Sequence, residues 1–273
     1  MNRARNWRQG EKGMAMRWQA LAAVVVAVVA PILVGCAPVA VVGPVSGTAA
    51  GAAPGGPSGG GNLPPAVAGP PLSASAAARN FVAVVDRVEP MAEAYCRRAG
   101  TPGRCDFRIL IDDDPGAGAN AWQTVDAAGR PTITFTLALI ADARNADELA
   151  LVMGHEAAHH IAGHIPLSEQ SALAGALVAG LLATAAGMDA TGLQQVENLG
   201  AQVGALTYAK DYELQADAIG AEIAWRAGYD PLRGLGFFDR IPDPGDMFLG
   251  SHPGSARRKA VVAEVVAELN AGG

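Results

Sequence analysis

The segment His-Glu-Ala-Ala-His at residues 155–159 constrains the fold of this chain more than any other sequence feature. It lies in a stretch, residues 146–163, whose apolar side chains recur at helical spacing, and Asn145 stands three residues before Glu148 as in a capping box. Side chains four residues apart share one face of a helix, so both histidines would lie about one turn apart. The pattern therefore predicts a helix that presents two imidazoles to one metal ion.

Two imidazoles with an acid between them suit a hydrolytic zinc site. A catalytic zinc ion takes three protein ligands and keeps a fourth position for water. Glu156 can face the same cleft, take a proton from the attacking water and pass it to the leaving amine. Such short motifs also occur by chance on surface helices, but all five histidines of the chain fall at positions 155, 159, 160, 164 and 252. Chance scattering would not favour that clustering, so we expect a metal centre here.

A third ligand is expected from one of two places. A metzincin-type site would need glycine at position 162 and histidine at position 165. The sequence has Ala162 and Ile165 there, so this type of site is excluded. Farther along, Glu213 and Asp217 lie four residues apart on a second predicted helix. Glu213 can complete a site of two histidines and one glutamate, and Asp217 can accept the remaining N–H of a ligand histidine. A solvated acidic helix face is the alternative interpretation of these two carboxylates.

Several ordered motifs make a resemblance to a known family specific. They are His155-Glu156-x-x-His159 with His164 five residues later, Glu213-x-x-x-Asp217-x-x-Gly220, Ala227-Gly228-Tyr229-Asp230-Pro231 and Ser251-His252-Pro253. The chain resembles the HtpX/Ste-type (CAAX prenyl protease-like) zinc metallopeptidases, and is most similar to their soluble periplasmic lipoprotein branch. The fold that this implies is α+β and mostly helical, a minigluzincin-like zinc peptidase domain with a small β-sheet packed on the active-site helices.

The resemblance also implies roles for the catalytic residues. One Zn²⁺ per chain would be held by His155, His159 and Glu213, with Glu156 as the general base. His252 would approach the metal from the last loop, either to stabilise the oxyanion or to cap the zinc in a resting state.

Further residues around the metal take supporting roles in the same comparison. Asp217 would orient a ligand histidine, and Arg258 matches the basic residue that follows the His-Pro pair, although Arg257 leaves the alignment open by one position. His164 would support the ligands or the local structure. No role carries over to His160, which we expect to face solvent.

The periodicity of apolar residues in the rest of the chain predicts helices around two short strands. Alternating apolar and polar residues predict strands at 107–112 and 132–137. Helical spacing predicts helices at 77–99 and 255–270, and a helical segment at 192–227 that is either continuous or broken. Residues 167–187 are rich in alanine, leucine and glycine. We interpret this segment as a buried or groove-covering helix, because glycines interrupt a run already too short to span a membrane.

The N-terminus has the pattern of an exported lipoprotein. A basic segment and an apolar run of about 15 residues end in Leu-Val-Gly-Cys at positions 33–36, which resembles a lipobox, so residues 1–35 are interpreted as a signal peptide and Cys36 as the lipidation site. A plain secretory signal is the alternative. Residues 36–75 are rich in Gly, Pro and Ala and predict a flexible tether, which leaves residues 76–273 as the zinc metallopeptidase domain. Ala37 in place of aspartate favours the outer membrane over the inner.

Charge and cysteine content narrow the function classes further. Without residues 1–35, which hold five basic residues and one acid, 15 basic residues stand against 25 acids. Such a balance argues against nucleic acid as a partner. Export favours oxidation, so Cys96 and Cys105 are expected to form a disulfide, with two unrelated buried thiols as the alternative.

These features predict a metalloendopeptidase anchored by lipid at the periplasmic side of the outer membrane. Its substrates would be unfolded or misassembled envelope polypeptides, which could pair with the strand at residues 132–136 if that strand forms a sheet edge. The alternative is an envelope-protein binding or assembly factor with little proteolytic turnover, whose partners would be envelope-assembly proteins. A purely structural zinc protein is disfavoured, because a closed zinc site has no use for a base such as Glu156.

Overall fold

The computed structural model of the chain describes residues 69–207, 209–240 and 255–272. The expected signal peptide, the lipidation site Cys36, residues 36–68 of the expected tether and His252 lie outside the described residues. The first described helix begins at Ala74, close to the boundary expected at residue 76.

Helices make up most of the described chain, and three short strands follow the first of them. The helices are α1 (Ala74–Ala99), α2 (Leu137–Asp142), α3 (Ala146–Ile161), α4 (His164–Ala185), α5 (Ala190–Leu206), α6 (Ala209–Arg226), α7 (Pro231–Gly234) and α8 (Ser255–Ala271), with a 3₁₀ turn at Leu235–Phe237. The strands are β1 (Arg108–Asp112), β2 (Ala121–Val125) and β3 (Pro131–Thr136). The α+β, mostly helical fold expected from the sequence is confirmed.

Capping chemistry sets the start of α3 as the sequence predicted. The Asn145 Oδ1 atom accepts a hydrogen bond from the backbone N–H of Glu148 at 3.0 Å. The Glu148 carboxylate returns to the backbone N–H of Arg144 at 2.9 Å, one residue earlier than in a standard capping box. The helix predicted over residues 192–227 is broken, since α5 ends at Leu206 and α6 begins at Ala209.

The sheet corrects one expectation about substrate binding. Its strand order is β1-β3-β2, with β1 parallel and β2 antiparallel to β3. The expectation that residues 132–136 form a sheet edge is wrong, because both sides of β3 are paired. The sequence does not predict β2, since Ala-Trp-Gln-Thr-Val lacks a regular alternation. Among the described strands, β2 pairs with β3 alone and contacts α3, so the edge beside α3 belongs to β2.

The hydrophobic core lies between the sheet and the helices α1, α3 and α6. The Phe81 ring of α1 packs edge-on against Phe135 of β3, with 5.2 Å between ring centroids. Fully buried side chains from all four parts fill the space: Val84, Val88, Phe107, Phe135, Leu149, Met153 and Ile223. Burial of this kind contributes roughly 1.5–3 kcal/mol per large apolar side chain, so the core fixes α3 against the sheet and α6.

Two glycines allow α3 and α6 to approach each other closely. A Cβ atom on Gly154 would lie 2.5 Å from the carbonyl oxygen of Gly220, and one on Gly220 would lie 2.5 Å from the backbone nitrogen of His155. Real Cβ atoms do not approach this closely, so only glycine fits at either position. The contact places the α6 face that carries Glu213 and Asp217 beside His155.

Helices α4 and α5 form a hairpin that packs mainly against itself. The expectation that residues 167–187 form a buried helix is wrong, because Gly180 and Ala183 are the only residues of α4 in this segment that are buried. The alternative, a helix that covers a groove, stays a prediction. Small residues take the α4–α5 contact, so the larger apolar side chains of α4 point outward. By length and composition, α4 is also the one described helix that could span a membrane.

The glycine contact makes a prediction about stability. Gly220→Ala should lower the free energy of unfolding by roughly 1–3 kcal/mol, because its methyl group forces α3 and α6 apart. The measurement is urea unfolding followed by circular dichroism. Gly192→Ala in α5 is the matched control, since a Cβ atom there would meet its nearest neighbour at 3.4 Å. Equal stability of the two variants would contradict the packing argument.

Candidate metal centre

Three side chains from two helices converge at one point. His155 and His159 come from α3, and Glu213 comes from α6. His155 Nε2 lies 3.1 Å from His159 Nε2 and 3.2 Å from Glu213 Oε2. His159 Nε2 lies 3.3 Å from Glu213 Oε1. The structure thus brings together the three residues that the sequence analysis names as metal ligands.

The distances and the donor types fit a zinc ion. Donor atoms that bind one ion at about 2.0–2.1 Å in a tetrahedral arrangement lie roughly 3.3 Å apart. Two imidazole nitrogens and one carboxylate oxygen form a donor set that leaves one position for water, as catalytic zinc sites do. Within the described ranges, His155, His159 and Glu213 form the one group of this kind.

The other nitrogen of the His155 ring is held by a buried carboxylate. His155 Nδ1 lies 2.9 Å from Asp217 Oδ1, and neither side chain is more than 5% exposed. An ionised carboxylate only accepts hydrogen bonds, so Nδ1 carries a proton, and Nε2 is the ring nitrogen that can bind a metal when the metal displaces its proton. Burial would lower the pKa of His155, but the hydrogen bonds with Asp217 and Glu213 raise it to about 10. These two carboxylates favour any cation at this point, either a proton on the imidazole or a metal ion beside it.

Asp217 is in turn held by Arg258 of α8. The Arg258 Nε atom donates to Asp217 Oδ2 at 2.6 Å, and Nη2 donates to Asp217 Oδ1 at 2.7 Å. Burial would raise the pKa of Asp217, but Arg258 and His155 outweigh it and hold that pKa below its usual range. The guanidinium also lies over the Phe238 ring, 4.0 Å from its centroid. Arg257 is exposed, whereas Arg258 is buried and contacts Asp217.

A second, uncharged chain of hydrogen bonds holds the His159 ring. His164 Nδ1 lies 3.0 Å from His159 Nδ1, and His164 Nε2 lies 3.0 Å from Gln215 Oε1. Tyr212 stacks on His164 with 4.6 Å between ring centroids. Burial lowers the pKa of His164 to about 4, so its imidazole is neutral near pH 7.

The Gln215 oxygen sets the direction of this chain. A carbonyl oxygen only accepts, so His164 Nε2 carries a proton and His164 Nδ1 accepts one from His159 Nδ1. The Nε2 atom of His159 therefore keeps its lone pair on the side of His155 and Glu213. The sequence analysis missed Gln215, because a residue two positions after Glu213 does not share its helix face. Its role becomes visible only in the folded chain, where the start of α4 places His164 next to Gln215 of α6.

The expected general base, Glu156, is a buried residue of α3. Glu156 follows His155 on α3 and is 8% exposed. Burial would lower the pKa of Arg258, whereas Asp217, Glu213 and Glu156 raise it. Glu156 is thus close enough to act electrostatically on the residue that holds Asp217.

A disulfide-closed loop packs on the end of α3. Cys96 and Cys105 are joined by a disulfide. Within the loop, the Thr101 hydroxyl donates to the carbonyl oxygen of Ile161 at 2.9 Å. His160 was expected to face solvent, but it is only partly exposed, and its Nε2 atom lies 2.7 Å from the carbonyl oxygen of Arg104. The first contact satisfies a backbone carbonyl at the end of the helix that carries both histidine ligands, and the second joins that helix end to the loop.

Comparison with known families covers most of the chain. The model of peptidase family M48 matches residues 82–266, a stretch that begins in α1 and ends in α8. It includes His155, His159, Glu213 and the side chains that hold them. Among curated proteins, none matches the chain.

The hydrogen bond from His164 to Gln215 predicts a measurable effect on metal binding. Gln215→Met removes the acceptor at similar size, so the His159 tautomer is no longer fixed and zinc affinity should fall about 10–100-fold. Gln215→Glu keeps an acceptor oxygen and should retain more affinity than the methionine variant. A chelator competition titration measures both. Equal affinities of wild type and Gln215→Met would show that Gln215 has no part in metal binding.

Proposed function

Since the chain belongs to peptidase family M48, a family of metallopeptidases, we propose that it is a zinc-dependent endopeptidase of the cell envelope. Membership also confirms the zinc-peptidase resemblance that the sequence motifs predicted, although not the lipoprotein branch. The observation that carries the proposal is the convergence of His155, His159 and Glu213 beside Glu156. Zinc is the proposed metal, because the donor set and its spacing suit that ion.

The side chains of this site divide the work of hydrolysis. A bound zinc ion would supply Lewis acidity, which polarises the scissile carbonyl and lowers the pKa of water. Glu156 takes a proton from the attacking water while the water oxygen bonds to the carbonyl carbon. It then gives that proton to the amide nitrogen as the C–N bond breaks. Asp217 and His164 keep the rings of His155 and His159 in place, so no reorganisation is needed during the reaction.

The proposed substrates are unfolded or misassembled polypeptides that bind in extended form. The edge of β2 lies beside α3, and an extended chain can add to such an edge by backbone hydrogen bonding. This mode reads backbone rather than sequence, which suits a range of unfolded substrates. His252 stays a prediction, as an oxyanion group or a cap on the metal.

The proposed place of action is the periplasmic side of the outer membrane. Support comes from the lipobox-like ending at Cys36, from Ala37 after it and from the uncharged tether that follows. The Cys96–Cys105 disulfide also suits an oxidising compartment. Envelope-assembly proteins are proposed as further partners.

The general-base assignment is tested by Glu156→Gln. This variant should bind one zinc per chain, measured by elemental mass spectrometry, and lose about 10²–10⁴-fold of its rate on casein. Glu268→Gln, an exposed change on α8, is the matched control and should cleave at the wild-type rate. Wild-type turnover by Glu156→Gln would refute the assignment.

His155→Ala should lower bound zinc, and a stoichiometric ion in that variant would refute the ligand set.

The same variant separates cleavage from holding. In cells that lack the gene, full rescue by Glu156→Gln would favour the binding or assembly factor. Envelope proteins trapped by this variant and identified by mass spectrometry would define the substrates. Their cross-links should reach β2 rather than β1.

Lipid anchoring is tested by labelling with a fatty-acid analogue. Wild type should incorporate the label, and Cys36→Ser should not. Ala37→Asp should remain labelled but should move from the outer-membrane to the inner-membrane fraction on a density gradient. Label on Cys36→Ser would place the modification elsewhere and overturn the anchor assignment.

A further inference from the structure

The outer face of α4 is an apolar stripe that no described residue covers. Its members follow one another at helical spacing and are between 51% and 67% exposed: Leu173, Leu177, Val178, Leu181 and Leu182. Single exposed leucines are common on soluble proteins, but a contiguous row marks a surface that binds something.

The inner face of the hairpin is built from small residues. A Cβ atom on Gly175 would overlap the carbonyl oxygen of Gly200, and one on Gly204 would overlap that of Ser171. Backbones that approach this closely through small residues are typical of helix pairs in lipid, where leucines gain nothing by facing each other. Apart from Glu197, whose side chain packs over Gly180, small residues make the contact between the two helices, and the large apolar side chains of α4 lie outside it.

The two helices differ in their outer faces. The outer face of α5 carries a row of exposed polar side chains: Gln194, Asn198 and Gln202. By contrast, residues 170–188, which include α4 from its second turn onward, hold no charged residue. The outer face of α4 is thus apolar, whereas that of α5 combines this polar row with exposed Leu199 and Val203. The difference between the two helices suits an element that lies in a membrane interface rather than one that spans it.

We propose that the apolar face of α4 docks on a lipid bilayer, with α5 directed to water. A second copy of the chain would need an apolar stripe only at the contact. Lipid favours the loss of charge on all sides of a helix, as observed in α4 from residue 170 onward. Glu169 and Asp189 flank the uncharged segment, where they can reach the headgroup region. Since neither helix carries a lysine or arginine, docking should need no anionic lipid and should resist salt.

This docking would set the metal centre close to the membrane. The first residue of α4 is His164, which contacts His159. Leu173 lies nine residues farther along the helix, about 14 Å at 1.5 Å per residue. Polypeptides at the membrane surface would then be near the peptidase site, although the docking itself does not rest on zinc binding or cleavage.

The experiment places an environment-sensitive fluorophore at single positions of the full chain. Cysteine replaces Leu177 on α4 or Asn198 on α5 in a Cys36→Ser background, and each is labelled with NBD; Cys96 and Cys105 are held in the disulfide. Phosphatidylcholine vesicles should shift the Leu177→Cys emission to shorter wavelength, and doxyl-labelled lipid should quench it. The label at Asn198→Cys should report water throughout. Vesicles with added phosphatidylglycerol, or with 0.5 M salt, should give the same shift.

Three results would overturn the proposal. Leu177→Cys emission that vesicles leave unchanged excludes lipid contact. A shift that rises with protein concentration before vesicles are added assigns the face to a second copy. A lipid-dependent shift at both positions contradicts one-sided docking. As a further check, a label at Ala174→Cys should lose its shift when Leu177→Ser and Leu181→Ser are added. Adding Glu156→Gln should change none of these readings, so loss of peptidase function and loss of docking are distinguishable.

Discussion

The metal centre depends on the contact between α3 and α6 at Gly154 and Gly220. His155 and Glu213 belong to different helices, and their side chains meet only because the two backbones touch. A single methyl group at either glycine would push the helices apart. The ligand distances near 3.2 Å would then grow beyond what one ion can bridge. The core made by α1 and the sheet fixes the relative position of these two helices. Core packing therefore determines the distances between the metal ligands.

The two histidine ligands are oriented by different chemistry. His155 is held by an ionised carboxylate, and the charge of Asp217 is balanced by Arg258 at 2.6 and 2.7 Å. His159 is held by the neutral imidazole of His164, which in turn donates a hydrogen bond to the side-chain amide oxygen of Gln215. Both arrangements protonate Nδ1 and leave Nε2 for a metal. Because the charge of Asp217 is matched by that of Arg258, Glu213 contributes the one anionic ligand. A divalent cation would keep a net positive charge, which favours polarisation of a carbonyl.

Much of this site could be predicted from the sequence because its pairs lie within single helices. The spacing of His155 and His159, and of Glu213 and Asp217, follows from 3.6 residues per turn, and Asn145 marks the start of α3 by local capping. What could not be predicted depends on tertiary neighbours. The position of β3 inside the sheet depends on β2, whose five residues carry no strand pattern.

The hairpin shows why composition and length misled the interpretation of residues 167–187 as a buried helix. An apolar helix with small residues on one face fits a protein core as well as a membrane, and composition does not distinguish the two. The deciding fact is which face meets the partner helix. Here the small face meets α5. The turn at Gly163, with φ +69°, leaves only two residues between the end of α3 and the start of α4. His164 consequently belongs both to the start of α4 and to the hydrogen bonds around His159. The orientation of the apolar hairpin and the orientation of a metal ligand are therefore fixed by the same residue.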